Sequence, residues 1–213
     1  KQALNDHLVP KRALIIYGPR RVGKTTLLNQ WLARQSDKRI LSVVGDDIRV
    51  REVFASESLD ELKRFANSYD IIAVDEAQQI TSIGLGMKML IDAFAEKQYF
   101  LTGSSSFELS GQVGEPLTGR HFTLILLPLS QSEIQLGSFE LKGSLDQFLI
   151  YGSYPEVLLT NDLRVKERIL NELVSSYLYK DVLALERVKS PDLVRDIARM
   201  IAFQIGSEVS LNE

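Results

Sequence analysis

The first chemical signal is the string Gly18-Pro19-Arg20-Arg21-Val22-Gly23-Lys24-Thr25. An apolar run from Ala13 to Tyr17 leads into it, and a helical stretch from Lys24 to Arg34 follows. Strand, glycine-rich loop ending in Gly-Lys-Thr, then helix is the context that makes such a string a phosphate-binding loop. The glycines let backbone N–H groups turn inward around anionic oxygens. The helix start adds the positive end of its dipole. In that geometry Lys24 reaches the β- and γ-phosphates of a nucleotide, and the Thr25 hydroxyl ligates magnesium. Thr26 is expected to donate to the α-phosphate. A chance glycine-rich turn would have to reproduce the strand, every motif position and the helix together.

A second set of residues suits what would follow phosphate binding. The apolar run Ile71 to Val74 ends in Asp75 and Glu76. Acids at the carboxyl end of a parallel strand lie where open α/β sheets bind ligands. Asp75 is expected as an outer-shell magnesium contact, and Glu76 as the general base or water-positioner for attack on the γ-phosphate. A further apolar run ends at Thr102, with Gly103, Ser104, Ser105 and Ser106 after it. Ser104, or else Thr102, is expected to sense the γ-phosphate, and a helix cap by one of the serines is the alternative. Arg120 either faces the phosphates of its own or a neighbouring subunit, or makes a structural ion pair. Arg20 and Arg21 contact nucleotide or a partner, or are solvated. Asp46-Asp47 reads as a turn, with an acid near magnesium as the alternative. His7 and His121 lack metal-ligand spacing and read as structural.

These residues need a scaffold, and the pattern supplies one. Short apolar runs without alternation (13–17, 39–44, 70–74, 98–102 and 121–127) are separated by helical patterns. That predicts an α/β fold with a parallel sheet covered on both faces. Ser58-Leu59-Asp60-Glu61 is a capping box opening a helix to about Asn67. A further helix is expected from Gly86 to Lys97. From about Ser130 the pattern turns wholly helical, over 144–151, 163–186 and 191–205. Ser190-Pro191-Asp192 is a helix start and Gly206 a stop. Leu193, Ile197 and Ile201 share a face of the last helix, which reads as core packing.

Composition excludes other classes. The 213 residues include no cysteine, so disulfides, thiolate zinc sites and a cysteine nucleophile are out. Hydrophobic residues make up 45% of the chain, enough for a sizeable core. No apolar run approaches the roughly 20 residues of a membrane helix, and residues 1–10 carry no signal-peptide core, so a cytoplasmic protein is expected. The net charge of -3 is uneven, with residues 1–64 basic and the remainder acidic. The chain opens on Lys1 and closes at Leu211-Asn212-Glu213, which reads as a piece of something longer.

The loop 18–28, Asp75-Glu76-Ala77-Gln78, Leu101 to Ser105, Gly119-Arg120 and Leu127 to Glu133 together resemble a family of prokaryotic AAA-type P-loop ATPases. In that family the core is followed by a winged helix and a C-terminal domain of uncharacterised function. Gly152 to Val157 and Tyr179 to Val182 are similar to its helical lid. The resemblance implies a P-loop ATPase core at 1–129, a helical lid at 130–206 and the opening of a winged helix at 207–213. It implies strand order 5-1-4-3-2, with ATP and magnesium as ligands. The expected function is Mg-dependent ATP hydrolysis coupled to conformational change in attached domains, with a homo-oligomer left open through Arg120. A nucleotide-dependent switch with weak hydrolysis is the alternative, with DNA the partner to try through the winged helix. A small-molecule kinase is a third reading, which the acidic pair favours less.

Overall fold

The computed structural model describes residues 2–104, 116–134, 142–178 and 191–204. The chain divides into two compact units, Lys1–Leu159 and Thr160–Glu213.

The first unit is built on five parallel strands. They are β1 (Ala13–Tyr17), β2 (Ile40–Val44), β3 (Ile71–Asp75), β4 (Gln98–Gly103) and β5 (His121–Ile125). Their spatial order is β2-β3-β4-β1-β5, the order implied by the resemblance. Burial follows position in the sheet. Every residue of β3 and nearly every residue of β1 and β4 is buried, whereas β2 and β5 are only half-buried at the edges. A strand covered on both faces reads as an unbroken apolar run, which is why the central strands stand out in the sequence.

Alternate residues of the strands feed two cores. Ala13, Ile15, Ile72, Val74, Tyr99 and Leu101 pack against α3 (Ile48–Ala55), α4 (Leu59–Ala66) and α5 (Ile83–Ala93). Leu14, Ile16, Ile71, Ala73 and Phe100 face the other way, onto α1 (Gln2–His7) and α2 (Lys24–Leu32). Helices therefore cover both faces. Ser58 caps α4 by accepting from the Glu61 N–H, as the capping box predicts. Helices α1 and α3 are not evident in the sequence pattern. Asp47 is the N-cap of α3 and accepts from the Arg49 N–H at 2.9 Å, while Asp46 pairs with Arg51 at 3.2 Å. Helix α5 begins three residues before the expected Gly86 and ends at Ala93; residues 94–97 form a turn.

Two polar fixtures hold the amino-terminal edge of the sheet. Lys97 is buried, and its ammonium donates to the carbonyls of Ala66 and Asn67 at the end of α4. Burial pushes its pKa down, and these carbonyls supply the solvation that water no longer gives. Asp70 joins the starts of β2 and β3. It accepts from the Arg39 guanidinium at 3.0 and 3.2 Å and from the Arg39 N–H at 2.9 Å. Those hydrogen bonds, the guanidinium's first, lower its pKa to about 2. A depressed carboxyl pKa stabilises the fold above the unfolded value of about 4, and that contribution is lost as pH falls through the folded one. Thermal melts should therefore show Asp70→Asn less stable than the parent at pH 7, with the gap closing between pH 4 and pH 2. A gap that is constant across that window would contradict the linkage.

After β5 the first unit continues through α6 (Leu145–Tyr151) and α7 (Pro155–Leu159). The second unit contains α8 (Leu163–Glu172), which widens into a π-helical turn over Leu173–Leu178, and α9 (Pro191–Phe203). The single helix expected over 163–186 is thus α8 plus this turn as far as residue 178. Tyr179 to Val182, Gly206 and the segment 207–213 lie outside the described residues. The apolar face of α9 is a correction: Leu193, Ile197 and Ile201 are 53%, 47% and 54% exposed, while Val194 beside them is buried. Periodicity marks an apolar face without saying what covers it.

Candidate nucleotide-binding and catalytic site

The phosphate loop joins β1 to α2. Gly23 is the N-cap of α2 at φ 99°, a left-handed conformation that L side chains rarely adopt. Lacking a side chain, it leaves the first-turn amides without the usual cap. Gly18 is needed for a different reason, since a Cβ there would sit 2.0 Å from the Leu126 carbonyl oxygen. Lys24 is 5% exposed, and its ammonium donates to the Gly18 and Pro19 carbonyls, each at 2.9 Å. The loop is thus wound around its own lysine.

The acidic pair meets this loop at the carboxyl edge of the sheet. The Thr25 hydroxyl donates to one Asp75 carboxylate oxygen at 2.7 Å, and the Thr102 hydroxyl donates to the other. Thr102 also accepts from the Glu76 N–H at 3.2 Å. Strand β4 lies between β3 and β1, so Thr102 stands between the acids and the loop. Asp75, Thr102 and Ser104 are all buried. Glu76 takes φ 51°, a conformation that costs a non-glycine residue energy and is concentrated at functional sites. Its carboxylate accepts from the Gln78 side chain, whose oxygen accepts from the Ser104 N–H at 3.3 Å. The Ser104 N–H thus joins this network, and the side chains of Thr25, Thr102 and Gln78 touch the acids. Gln78 is a residue that chemical reading of the sequence passed over. Its only signal was its place in Asp75-Glu76-Ala77-Gln78.

The remaining candidates separate. Arg21 pairs with Glu156 of α7 at 3.3 Å, so the loop is tied to the helical segment after the sheet. Arg20 is half-buried. Arg120 is corrected as a residue facing the phosphates of its own subunit. It immediately precedes β5, and its carbonyl accepts from Ala13 at the start of β1, whereas the phosphate loop leaves the far end of β1. A five-residue strand separates those ends by about 13 Å. The guanidinium pairs with Asp92 at 2.8 Å, which is the structural alternative. His121 contacts the Leu117 carbonyl and His7 meets Phe122 edge-on. Among the described residues no cluster of three or more His, Cys, Asp or Glu could hold a metal, and no helix is long and apolar enough to cross a membrane.

Residues 10–135, which hold the loop, the acidic pair and all five strands, match the family described as AAA domain. The chain belongs to that AAA family. With its loop and strand order, this AAA domain is a P-loop NTPase core of the nucleotide-binding ATPase type. Residues 142–213 match a domain of unknown function. An uncharacterized protein of Methanocaldococcus jannaschii is 26% identical over 97% of the chain and 50% of its own length. One from Haemophilus influenzae is 24% identical over 92% of the chain and 52% of its own length. The chain thus spans about half the length of these curated relatives. Similar solved structures include AMPPCP-bound DnaA from Aquifex aeolicus, with TM-score 0.49 and 19% identity over 82% of this chain and 58% of that one. Domain III of the Thermotoga maritima replication initiation protein DnaA gives TM-score 0.46 and 16% identity over 76% and 85%.

Proposed function

We propose that this AAA domain binds ATP with magnesium at Gly18 to Thr26, hydrolyses it, and uses the cycle to change the conformation of attached segments. The observation that carries this reading is the hydrogen-bonded line from Thr25 through Asp75 and Thr102 to Glu76. In this reading Thr25 and Asp75 supply hard oxygens for magnesium and Glu76 supplies the base, beside the Lys24 of the loop.

The residues fit both ligands. The loop offers glycine-shaped backbone, a helix start and a buried ammonium to phosphate oxygens. Magnesium prefers hard oxygen donors and takes few from protein when phosphates and waters supply the rest. The Thr25 hydroxyl would hold it directly and Asp75 through water, which agrees with the lack of a carboxylate cluster among the described residues. Bound there, the ion would neutralise phosphate charge. Lys24 would exchange its loop carbonyls for β- and γ-phosphate oxygens. Glu76 would orient a water and take its proton. Thr102 and Ser104 sit where a change at the γ-phosphate reaches Asp75 and Glu76 together. Arg120 could act on phosphates only across a subunit boundary, with its Asp92 pair opened.

Equilibrium titration calorimetry tests the binding half of the proposal. ATP affinity should fall at least about tenfold when EDTA replaces magnesium, since roughly 1.4 kcal/mol of ion-mediated charge compensation is lost. Equal affinity in both conditions would remove Thr25 and Asp75 from their role. The Arg21–Glu156 pair supports the conformational half, because it links the loop to α7.

A further inference from the structure

We propose that Gln78 is a positioning residue for hydrolysis, tying the carboxylate of Glu76 to the end of β4. The inference rests on Glu76 being the base. It assigns a role to a side chain that the reaction chemistry alone would leave out.

Glu76 is anchored to β4 twice. Its backbone N–H donates to the Thr102 hydroxyl at 3.2 Å. Its carboxylate accepts from Nε2 of Gln78, while Oε1 of Gln78 accepts from the Ser104 N–H at 3.3 Å. The two partners fix the orientation of the amide. A carboxylate can only accept and a backbone N–H can only donate, so the Gln78 oxygen must face Ser104 and the nitrogen must face Glu76. The left-handed turn at Glu76 brings its side chain back to meet residue 78. Ala77–Gln79 is a single 3-10 turn, which holds that reach fixed.

The arrangement has a mechanical consequence. Gln78 engages Oε2 of Glu76, and in this proposal Oε1 is the oxygen that would orient the water. Thr102, on the strand between the acids and the phosphate loop, and Ser104, just past its end, are both buried. A shift of the β4 end would move both anchors of Glu76 at once. The competing reading is a local bond that only stabilises the 3-10 turn. That reading predicts a loss of melting temperature without a specific effect on turnover.

A double-mutant cycle on ATP turnover separates the readings. Gln78→Leu should lower kcat about 10- to 100-fold, the scale on which misplaced catalytic groups cost rate. The KM for ATP should stay within about twofold. Added to Glu76→Gln, Gln78→Leu should lower kcat no further, because the group it positions is gone. Gln78→Glu retains the size of the side chain and guards against a folding defect. It cannot donate to the Glu76 carboxylate, so kcat should fall at least as far as in Gln78→Leu, and a kcat equal to the parent's would overturn the positioning role. If Glu76→Gln cuts turnover but Gln78→Leu leaves kcat unchanged, or cuts it equally in both backgrounds, the role of Gln78 is overturned while that of Glu76 stands. If Glu76→Gln turns over like the parent, the role of the base fails, and this one with it.

Discussion

Replacing Lys24 with Ala is expected to weaken ATP binding at least about 30-fold, with turnover falling in step. Lys24 is 5% exposed and its ammonium is held by the Gly18 and Pro19 carbonyls, so phosphate oxygens bound there would meet a largely desolvated charge. Removing one partner of a buried charge pair costs about 2–5 kcal/mol, and every 1.4 kcal/mol is tenfold in affinity. The substitution also removes the donor to the Gly18 and Pro19 carbonyls, so the loop itself should loosen. Fluorescent nucleotide titration checks the first effect, and hydrogen exchange of the amides in 18–26 the second. Binding within threefold of the parent would mean that the loop does not hold phosphate through this lysine.

For Glu76→Gln the expected result is a separation of binding from chemistry. Turnover should fall by about 10²–10⁴, the range that a positioned general base contributes. The dissociation constant for ATP should change less than threefold. Glutamine keeps the length of the side chain, and the backbone bond to Thr102 does not depend on its charge. Single-turnover kinetics with excess protein should show a slow chemical step rather than slow release. Loss of binding in proportion to loss of turnover would instead assign Glu76 to the nucleotide pocket.

Much of this site is legible in the sequence because its parts are local. Gly18 to Thr25 needs only its own spacing and its flanking strand and helix. Asp75 is visible because β3 is buried from end to end, which makes the acid after Val74 conspicuous. The strands at the centre of the sheet announce themselves for the same reason. What was not legible depends on which chain ends meet in space. Arg120 and the loop belong to the same motif set, yet parallel strands put them at opposite edges of the sheet. The contact of Thr102 with Asp75 depends on β4 lying between β1 and β3, which linear order does not show. Helix α3 was hidden because Val50 and Phe54, its buried residues, give too short a period to separate from a loop. Leu193, Ile197 and Ile201 show the reverse failure, a clear apolar face that the described residues do not cover.

The ion pair between Arg21 and Glu156 bears on coupling. Nucleotide binding would draw on Arg21, half-exposed in the loop, and α7 carries its partner. An exposed pair contributes at most about 1 kcal/mol, so it can bias a conformational change but not drive one alone. Any larger stroke must come from the phosphate contacts themselves.

The central claim is that this loop and this acidic pair split ATP. Release of inorganic phosphate from ATP and magnesium, with no added acceptor, tests it most directly. The account predicts steady release that stops when EDTA removes the metal and nearly vanishes in Glu76→Gln. Tight ATP binding without phosphate release, or release of ADP only when a phosphoryl acceptor is supplied, would contradict it.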